Sequence, residues 1–564
     1  MVPPVDPLFW GLGVAPLVLL LVTLVVFRWQ AHEAASIGMF AAVLIGLTAY
    51  RMPLRDLAVA SGKGVWDAVF VLYVIIPALI FYHVIDRANG FDALREEVKS
   101  VTKNELFLVL GFGWVFVSFM QSISGFGTPI VVVAPILLAL GVKPVYSVAI
   151  PLVGHAWANT FGTLGVAWLA LDSTVELQAV LLTAAAAGVL LWVVNLAGGL
   201  TVAWIFGRKQ AVKYALPMIA VVSAIHGGGQ LLGIYLWEPA FANFMAATLG
   251  LLALPLLANW QPYATTTTGI DVRPAMRDDI GTTATGGGAA VATDGGVATG
   301  NPIDAPSEDL MSLKLALLPF GVLAAVAFLT AVIDPLAAAL NTVEAGLAFP
   351  AVETGFGVAN AAAAPYSPFT PLTHPGTLLL VSTLVAYGVY KQRGYFETGT
   401  DTEEESLTRS VLLTAIPASV AVISFLVMAK VMDHSGQTLV LAQGIADVAT
   451  PASYGVLSPL IGALGAFMTS SNTASNILFS GLQQETALSL GGLSENWILG
   501  GQTAGGAIGN AMSPGNVILG TSAVGIVGQE GDVLRKTIPW VAAVAATIGL
   551  LIVGFNAIGF LGVA

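Results

Sequence analysis

A run of small polar residues interrupts an otherwise apolar stretch of the chain at residues 119–135. Within it, Thr128 followed by Pro129 predicts the start of a helix, with Thr128 as the N-cap. The free N–H groups and the positive dipole end at a helix start attract anions. At membrane depth, such a break persists only where its backbone is buried in protein or lines a wet cavity. We therefore predict an anion-binding site here.

Two glycines and two polar side chains complete this first break. Gly125 and Gly127 flank Phe126, and because no strand precedes them they do not predict a dinucleotide-binding loop. They favour a tight turn and a close approach of the backbone to a ligand. Gln121 and Ser124 offer donors and acceptors to a bound hydroxyl or carboxylate, or else they satisfy the backbone of the break itself. The sequence leaves these two roles open.

A second polar break lies far downstream, between apolar runs, at residues 467–477. It is rich in hydroxyl and amide side chains, and we predict that this segment caps a helix that continues through Asn476, the candidate cap residues being Ser470, Ser471, Asn472 and Thr473. Two interrupted segments at matching places in the two halves of a membrane protein indicate the substrate site of a secondary transporter. The alternative is a pair of ordinary loops between short helices.

Polar residues also occur inside residues 145–171, which we predict to form one continuous span. His155, Asn159 and Gly162 would then lie one helical turn apart on one face of that span. For His155 we favour a structural hydrogen bond to a neighbouring helix. Asn159 with Thr160 is the better candidate for a substrate pathway, because polar residues inside a membrane usually face a cavity or the bundle interior.

A third broken segment is predicted at residues 497–527, with the break at Ser513 and Pro514. Asn510 lies just before it, at the end of a glycine-rich stretch. Small residues in membrane helices also serve as packing surfaces, so the glycines have two interpretations. The Ser-Pro break favours function, and Asn510 and Ser513 join the candidate site.

The composition sets the class of protein. Hydrophobic residues make up 56% of the chain and charged residues 10%, whereas soluble domains carry about 25% charged residues. The chain has no cysteine, which excludes disulfides and thiolate chemistry, and its six histidines lack metal-ligand spacing. The net charge of −12 argues against a nucleic-acid partner. Because no nucleophile–base pair is visible either, we expect a membrane protein that is not an enzyme and needs no cofactor.

These observations predict an all-α polytopic membrane protein with about 12 transmembrane helices. Its two transmembrane halves are residues 1–260 and 313–564. They are joined by residues 261–312, whose low complexity predicts a disordered cytoplasmic linker. Each half contains one re-entrant or broken-helix hairpin, at about residues 106–141 and 453–484.

The distribution of lysine and arginine orients the protein. We predict that the N-terminus and residues 334–375, which contain no lysine or arginine, lie outside. Arg51, Arg55 and Lys63 are exceptions, since they also fall on the outside. With this orientation the two hairpins enter the membrane from opposite sides, so the halves form inverted-topology repeats. We expect a multi-pass protein of the plasma membrane.

Several runs of sequence resemble the L-lactate permease family. They are QSISGFGTPI in the first break, GALGAFMTSSNTASNILFSGLQ in the second, and TAGGAIGNAMSPGN with SAVGIVGQEGDVLRKT near the C-terminus. The resemblance covers most of the chain outside residues 261–312. It implies a proton-coupled importer of 2-hydroxymonocarboxylates such as lactate and glycolate, grouped with inverted-repeat ion transporters of the elevator type.

The chain departs from the bacterial members of that family at three positions. Those members carry a glutamate at the position of Gln121, an aspartate at that of Asn472 and a lysine at that of Asn510. Each charged group is replaced here by a neutral amide. The resemblance therefore supports the binding scaffold more strongly than it supports proton coupling.

The expected substrate is a small hydroxymonocarboxylate. Helix starts at Thr128 and near Ser471 would hold its carboxylate, the three amides would meet its hydroxyl, and Phe126 would contact its methyl group. We expect symport with a cation, H⁺ or Na⁺. Amide and hydroxyl oxygens beside broken helices favour Na⁺, or an anion exchange. Proton transport through His155 is the alternative.

Other functions remain open at this point. The chain could transport another small organic anion, or it could be a channel, which accumulation of substrate against its gradient would exclude. The sequence also leaves open the enantiomer of the substrate and the oligomeric state, a homo-oligomer in the lipid bilayer included.

Overall fold

A computed structural model of the protein describes residues 3–27, 29–91, 93, 102–125, 127–261, 263–264, 270, 272–277, 311–396, 407–526 and 528–562. Within these residues the protein is helical, with two small two-stranded sheets. The first half contains α1 (Pro7–Leu21), α2 (Ala31–Thr48), α3 (Leu54–Arg87), α4 (Glu105–Ile123), α5 (Thr128–Ala139), α6 (Pro144–Gly154), α7 (Gly162–Thr174), α8 (Val180–Leu236) and α9 (Pro239–Ala258).

The second half is also mainly helical. After a single turn at Leu313–Ala316 come α10 (Leu318–Val332), α11 (Asp334–Leu340), α12 (Pro375–Gln392), α13 (Leu407–Ser435), α14 (Gln437–Ala446), α15 (Pro451–Thr469), α16 (Asn472–Leu490), α17 (Glu495–Gly509), α18 (Pro514–Ala523) and α19 (Glu530–Ala557). The strands β1 (Ala345–Phe349) and β4 (Ala363–Phe369) pair antiparallel, as do β2 (Val352–Glu353) and β3 (Ala359–Asn360). The predicted outer loop at residues 334–375 therefore contains a helix and two β-ribbons.

Nine helices in the described part of the chain are long and apolar enough to cross a membrane. A membrane crossing needs about 20 apolar residues, because the hydrocarbon core is about 30 Å thick. Shorter apolar helices, such as α5, lie between them. This architecture confirms the predicted helical, multi-pass membrane protein.

A sharp reversal divides α8, which has 57 residues, into two crossings. Gly207 and Arg208 depart from helical geometry, with φ −155° and 54° respectively. Beyond this point the chain returns beside itself, because Gly227 lies directly against the ring of Trp192. Residues 180–236 therefore form two spans joined by a tight turn.

The same order of parts occurs in both halves. In the first, α3 is followed by the hairpin α4–α5 and by the broken pair α6–α7. In the second, α13 and the short α14 are followed by the hairpin α15–α16 and by the broken pair α17–α18. The helices α3 and α13 pack along each other, and α7 packs against α16. This arrangement agrees with two structural repeats.

The prediction of one continuous span at residues 145–171 was wrong. The helix ends at Gly154, a 3₁₀ turn follows at Ala156–Ala158, and α7 starts at Gly162. His155, Asn159 and Gly162 therefore do not share a helix face. The cause is tertiary packing: a Cβ at Gly154 would lie 1.8 Å from the carbonyl oxygen of Gly113, so the backbones of α6 and α4 touch at the break.

Candidate functional site

The broken helices of both halves meet around a small cavity of about 70 Å³. Both hairpin tips and both breaks of the pairs α6–α7 and α17–α18 contribute to it. At about 10–15 Å³ for each water-sized group, it has room for about five such groups. Its lining residues are Gln121, Gly125, Gly127, His155, Asn159, Gly162, Thr163, Val166, Ala167, Ser470, Ser471, Asn472, Thr473, Asn510 and Asn516.

Eight of the thirteen predicted substrate-binding residues line this cavity, and five do not. Thr160 and Asn476 form the layer directly behind it, where they bond to residues of the wall. Ser124 and Thr128 belong to the first hairpin tip, and Ser513 precedes α18. The predicted methyl contact Phe126 lies outside the described residues.

The start of α5 differs from the prediction. Gly127, not Thr128, is the N-cap, with φ 82° in the left-handed region that favours glycine. The N–H of Thr128 donates to Gly125 O at 3.2 Å, and those of Ile130 and Val131 donate to Gly127 O. Pro129 has no N–H. This helix start therefore has no free N–H from Thr128 to Val131, and Gly127 takes the N-cap position that was predicted for Thr128.

The start of α16 agrees with the prediction. Ser471 is its N-cap, and its hydroxyl accepts from the N–H of Ala474 at 3.2 Å. The N–H of Ser475 donates to Ser471 O at 3.0 Å. The N–H groups of Asn472 and Thr473, in the first turn, have no acceptor among the described residues. Since both residues line the cavity, this 19-residue helix offers it two free donors and a positive dipole end.

A chain of hydrogen bonds fixes the side chains behind α16. Asn476 donates through Nδ2 to Ala167 O (2.8 Å) and to Thr503 Oγ1 (2.9 Å). The hydroxyl of Thr503 in turn donates to Thr160 Oγ1 at 3.1 Å. Thr160 donates to the backbone oxygen of Thr503 and accepts from Asn472 Nδ2 at 3.2 Å. The network therefore joins the break before α7 to α16 and α17.

In this network the side-chain nitrogens of Asn472 and Asn476 donate hydrogen bonds, whereas their side-chain oxygens accept none from the described residues. A carbonyl oxygen only accepts, so the bond to Ala167 O identifies the nitrogen of Asn476. Oδ1 of Asn472, Asn476 and Asn510 has no hydrogen-bond partner among the described residues, and all three side chains are buried. A buried acceptor left unpaired costs about 1–3 kcal/mol. A cation, a hydroxyl or a water bound here would remove that cost.

Among the described residues, the lining carries no carboxylate, lysine or arginine, and His155 is its one titratable side chain. Nδ1 of His155 lies 2.5 Å from Pro151 O, one turn earlier in α6. Since the carbonyl accepts, Nδ1 carries the proton in this bond. The predicted bond of His155 to a neighbouring helix is thus replaced by a bond to its own helix.

Sequence reasoning missed Thr163, Ser470 and Asn516 as lining residues. Ser470 lies in the second polar break, and Asn516 follows the Ser-Pro break, so both carried a signal of the kind used for their neighbours. Thr163 carried none, because its segment was predicted to be continuous helix. Its φ of 50° begins three successive left-handed residues at the start of α7.

A buried aromatic cluster supports the break before α7. Trp157 donates from Nε1 to Ser118 Oγ on α4 at 2.8 Å. On its other side the indole stacks on His226, with ring centroids 4.6 Å apart. These contacts fix the 3₁₀ turn that presents Asn159 to the cavity, where Asn159 donates to Ala507 O at 3.1 Å.

Known transport proteins are similar to this chain over nearly its whole length. The L-lactate permease of Halalkalibacterium halodurans is 25% identical over 534 residues, covering 93% of this chain and 92% of that protein. The glycolate permease GlcA of Escherichia coli (strain K12) is 27% identical over 570 residues, covering 96% of this chain and 95% of that protein. Among solved structures, the Alcanivorax borkumensis YdaH transporter has a TM-score of 0.43 and 14% identity, over 88% of this chain and 87% of that chain.

The sequence profile of the family described as L-lactate permease matches residues 12–558, which is nearly the whole chain. The predicted resemblance is confirmed, and this chain belongs to the L-lactate permease family.

Proposed function

We propose that this protein is a secondary transporter that imports lactate or glycolate across the plasma membrane together with a cation. The observation that carries the proposal is the small polar cavity at the meeting point of four broken helices. Its volume suits a two- or three-carbon acid. The names of its relatives, L-lactate permease and glycolate permease, support the same substrate class.

The substrate carboxylate would bind at the start of α16. The free N–H groups of Asn472 and Thr473 suit an anion, and the helix dipole adds to the attraction. The amides of Gln121 and Asn510 lie in the same lining and would meet the substrate hydroxyl. Val166 and Ala167 are the apolar part of the wall and suit the methyl group of lactate.

The coupling cation in this proposal is Na⁺. In the part of the chain that the structure describes, the cavity lining contains no carboxylate that would take up a proton. The unpaired Oδ1 atoms of Asn472 and Asn510 instead offer the oxygen ligands that hard cations prefer. One Na⁺ carried with one monocarboxylate would also make the transported charge zero. Proton coupling is the second candidate, since His155 lines the cavity.

The orientation is part of the proposal. The N-terminus and residues 334–375 would lie outside and residues 261–312 inside, as the distribution of basic residues predicts. Inverted repeats with two opposed hairpins then allow the cavity to open to either side in turn.

Transport by purified protein in liposomes tests the function and the coupling ion together. With an inward Na⁺ gradient and no pH gradient, labelled lactate or glycolate should accumulate above its external concentration. Replacing Na⁺ by K⁺ is the matched control and should abolish accumulation. Accumulation that needs a proton gradient, ignores Na⁺ and disappears in His155→Ala would establish the proton alternative.

The same vesicles separate the remaining classes. Uptake that requires preloaded substrate indicates an anion exchanger, and uptake that only equilibrates indicates a channel. If no acid in a panel of small hydroxymonocarboxylates enters under any gradient, the proposed substrate class is wrong.

A further inference from the structure

A second, larger cavity of about 670 Å³ lies beside the small one. Its walls come from α3, α13, α14 and α16, from the end of α7, and from the ribbon strands β3 and β4. The charged and polar residues that matter below are Lys63, Ser173, Tyr366, Lys430 and His434, all of which line it. This cavity is separate from the candidate substrate site, with which it shares no lining residue.

Two helices connect the cavities. On α7, Val166 and Ala167 line the small cavity, and Ser173 and Thr174 line the large one. On α16 the residues at the helix start face the small cavity, and those from Ile477 onward face the large one. Movement of α7 and α16 along α3 and α13 would therefore change both cavities at once.

Five ionisable residues meet inside the pair α3–α13, and they are Asp56, Lys63 and Asp67 of α3 with Lys430 and His434 of α13. Asp67 on α3 lies 3.3 Å from the ammonium of Lys430 on α13. One turn away on α13, His434 contacts Asp56 Oδ1 through Nδ1 at 2.8 Å. Both aspartates are completely buried. Ionisable groups are rare and costly inside membrane helices, and their presence usually marks a functional element.

Tyr366 of β4 completes the environment of Asp67. Its hydroxyl donates to Asp67 Oδ2 at 2.9 Å. Burial raises the pKa of Tyr366, so the phenol keeps the proton that it donates. The carboxylate of Asp67 is thus held between a phenol and an ammonium, and it keeps Lys430 in one place.

Lys430 also reaches across to the end of α7. Its ammonium donates to Ser173 O at 3.2 Å and to Thr174 O at 3.0 Å. These carbonyls belong to the last turn of α7, where no intrahelical N–H remains for them and the helix dipole is negative. One buried cation therefore ties α7 to the pair α3–α13.

We propose that Lys430 is a positioning residue that latches the C-terminal end of α7 to α3 and α13, and so stabilises the state in which the large cavity is open. Asp67 and Tyr366 belong to the fixed side of this latch. When α7 moves along α13, the two carbonyl contacts break while the pair of Lys430 with Asp67 remains. The latch thus sets the balance between this state and one in which the large cavity is closed.

Labelling of a single cysteine tests the latch, since the chain has no cysteine of its own. Gly481→Cys places a thiol on α16 in the wall of the large cavity. The substitution fits, because the nearest atom to a Cβ there is Thr438 Cγ2 at 4.0 Å. The measured quantity is the rate of labelling by a membrane-impermeant maleimide, with the protein reconstituted in liposomes without substrate.

Lys430→Met combined with Asp67→Asn is the test variant, because the double change leaves no unpaired buried charge. Loss of two charge-assisted hydrogen bonds changes the equilibrium at least about tenfold. From equally populated states, the labelling rate should then fall about fivefold. Lys430→Arg retains a cation and should label at a rate close to the unmodified one.

Lys63→Met is the matched control. Lys63 lies in the same cavity wall and contacts His434 Nε2 at 3.4 Å, but it makes no bond to α7. Its removal should leave the labelling rate unchanged. An unchanged or faster rate in the Lys430 variant, or an equal fall in Lys63→Met, would overturn the latch. Because the assay contains no substrate, its result is independent of whether lactate is transported.

Discussion

The hydroxyl of Thr160 occupies the centre of the hydrogen-bond network behind the small cavity, and its removal offers a sharp test of the site. Thr160→Val keeps the shape of the side chain and replaces only the hydroxyl by a methyl group. Three bonds disappear: the two that Thr160 accepts, from Asn472 Nδ2 and Thr503 Oγ1, and the one that it donates to Thr503 O. The amide of Asn472 is then free to rotate.

The size of the effect follows from the two donors left without an acceptor. A stranded buried donor costs about 1–3 kcal/mol, and rotation of Asn472 toward the cavity recovers part of that cost. Substrate binding must then turn Asn472 back, and this rotation weakens the binding free energy by about 2 kcal/mol at most. Since about 1.4 kcal/mol corresponds to a factor of ten, the KM for substrate should rise between about threefold and thirtyfold.

The assay is initial-rate uptake into liposomes over a range of substrate concentrations. Thr383→Val is the matched control, since Thr383 is equally buried but donates only to Leu379 O of its own helix α12. Its KM should not change. If Thr160→Val inserts normally into the membrane and keeps the unmodified KM, the network does not orient Asn472, and our account of the site is wrong.

Three more predictions follow from single positions. Gly127→Leu should abolish uptake by protein that still inserts into the membrane, because a left-handed residue at the hairpin tip cannot accept a bulky side chain without strain; normal uptake would remove the first hairpin from the site. Gly506→Ala should impair uptake, since its Cβ would lie 2.0 Å from Asn472 Oδ1, whereas Gly228→Ala has open space and should be silent. Thr285→Cys, outside the described residues, should resist impermeant thiol reagents in intact cells, and its labelling would reverse the predicted orientation.

The sequence by itself determined the class of protein and the position of both hairpin tips. A chain in which only 10% of the residues are charged lacks the polar side chains that the water-exposed surface of a soluble protein needs. Its composition therefore predicts membrane helices. Lipid also offers no partner for a broken backbone, and a break must therefore carry its own polar groups. Because this requirement is local, the polar residues around Gly127, Ser471 and Ser513 were enough to predict the two hairpin tips and the third break.

Only the tertiary structure decided the details that depend on distant neighbours. The break after Gly154 arises where α6 touches the backbone of α4, and this contact with a distant helix cannot be read from the segment itself. At Thr128 the sequence predicted a helix start correctly to within one residue, but whether its N–H groups were free depended on the conformation of Gly125 and Gly127. Spacing along the chain contains no information about such contacts.

The contacts of Lys430 with Asp67 and with the end of α7 are the clearest example of an arrangement that the sequence alone did not predict. Asp67 and Lys430 come from the two different halves of the chain, and each lies in a largely apolar helix. Their cost in a membrane indicates that partners must exist, but it does not identify them. The identity of the partners is decided by how α3, α7 and α13 pack, which is a property of the folded molecule.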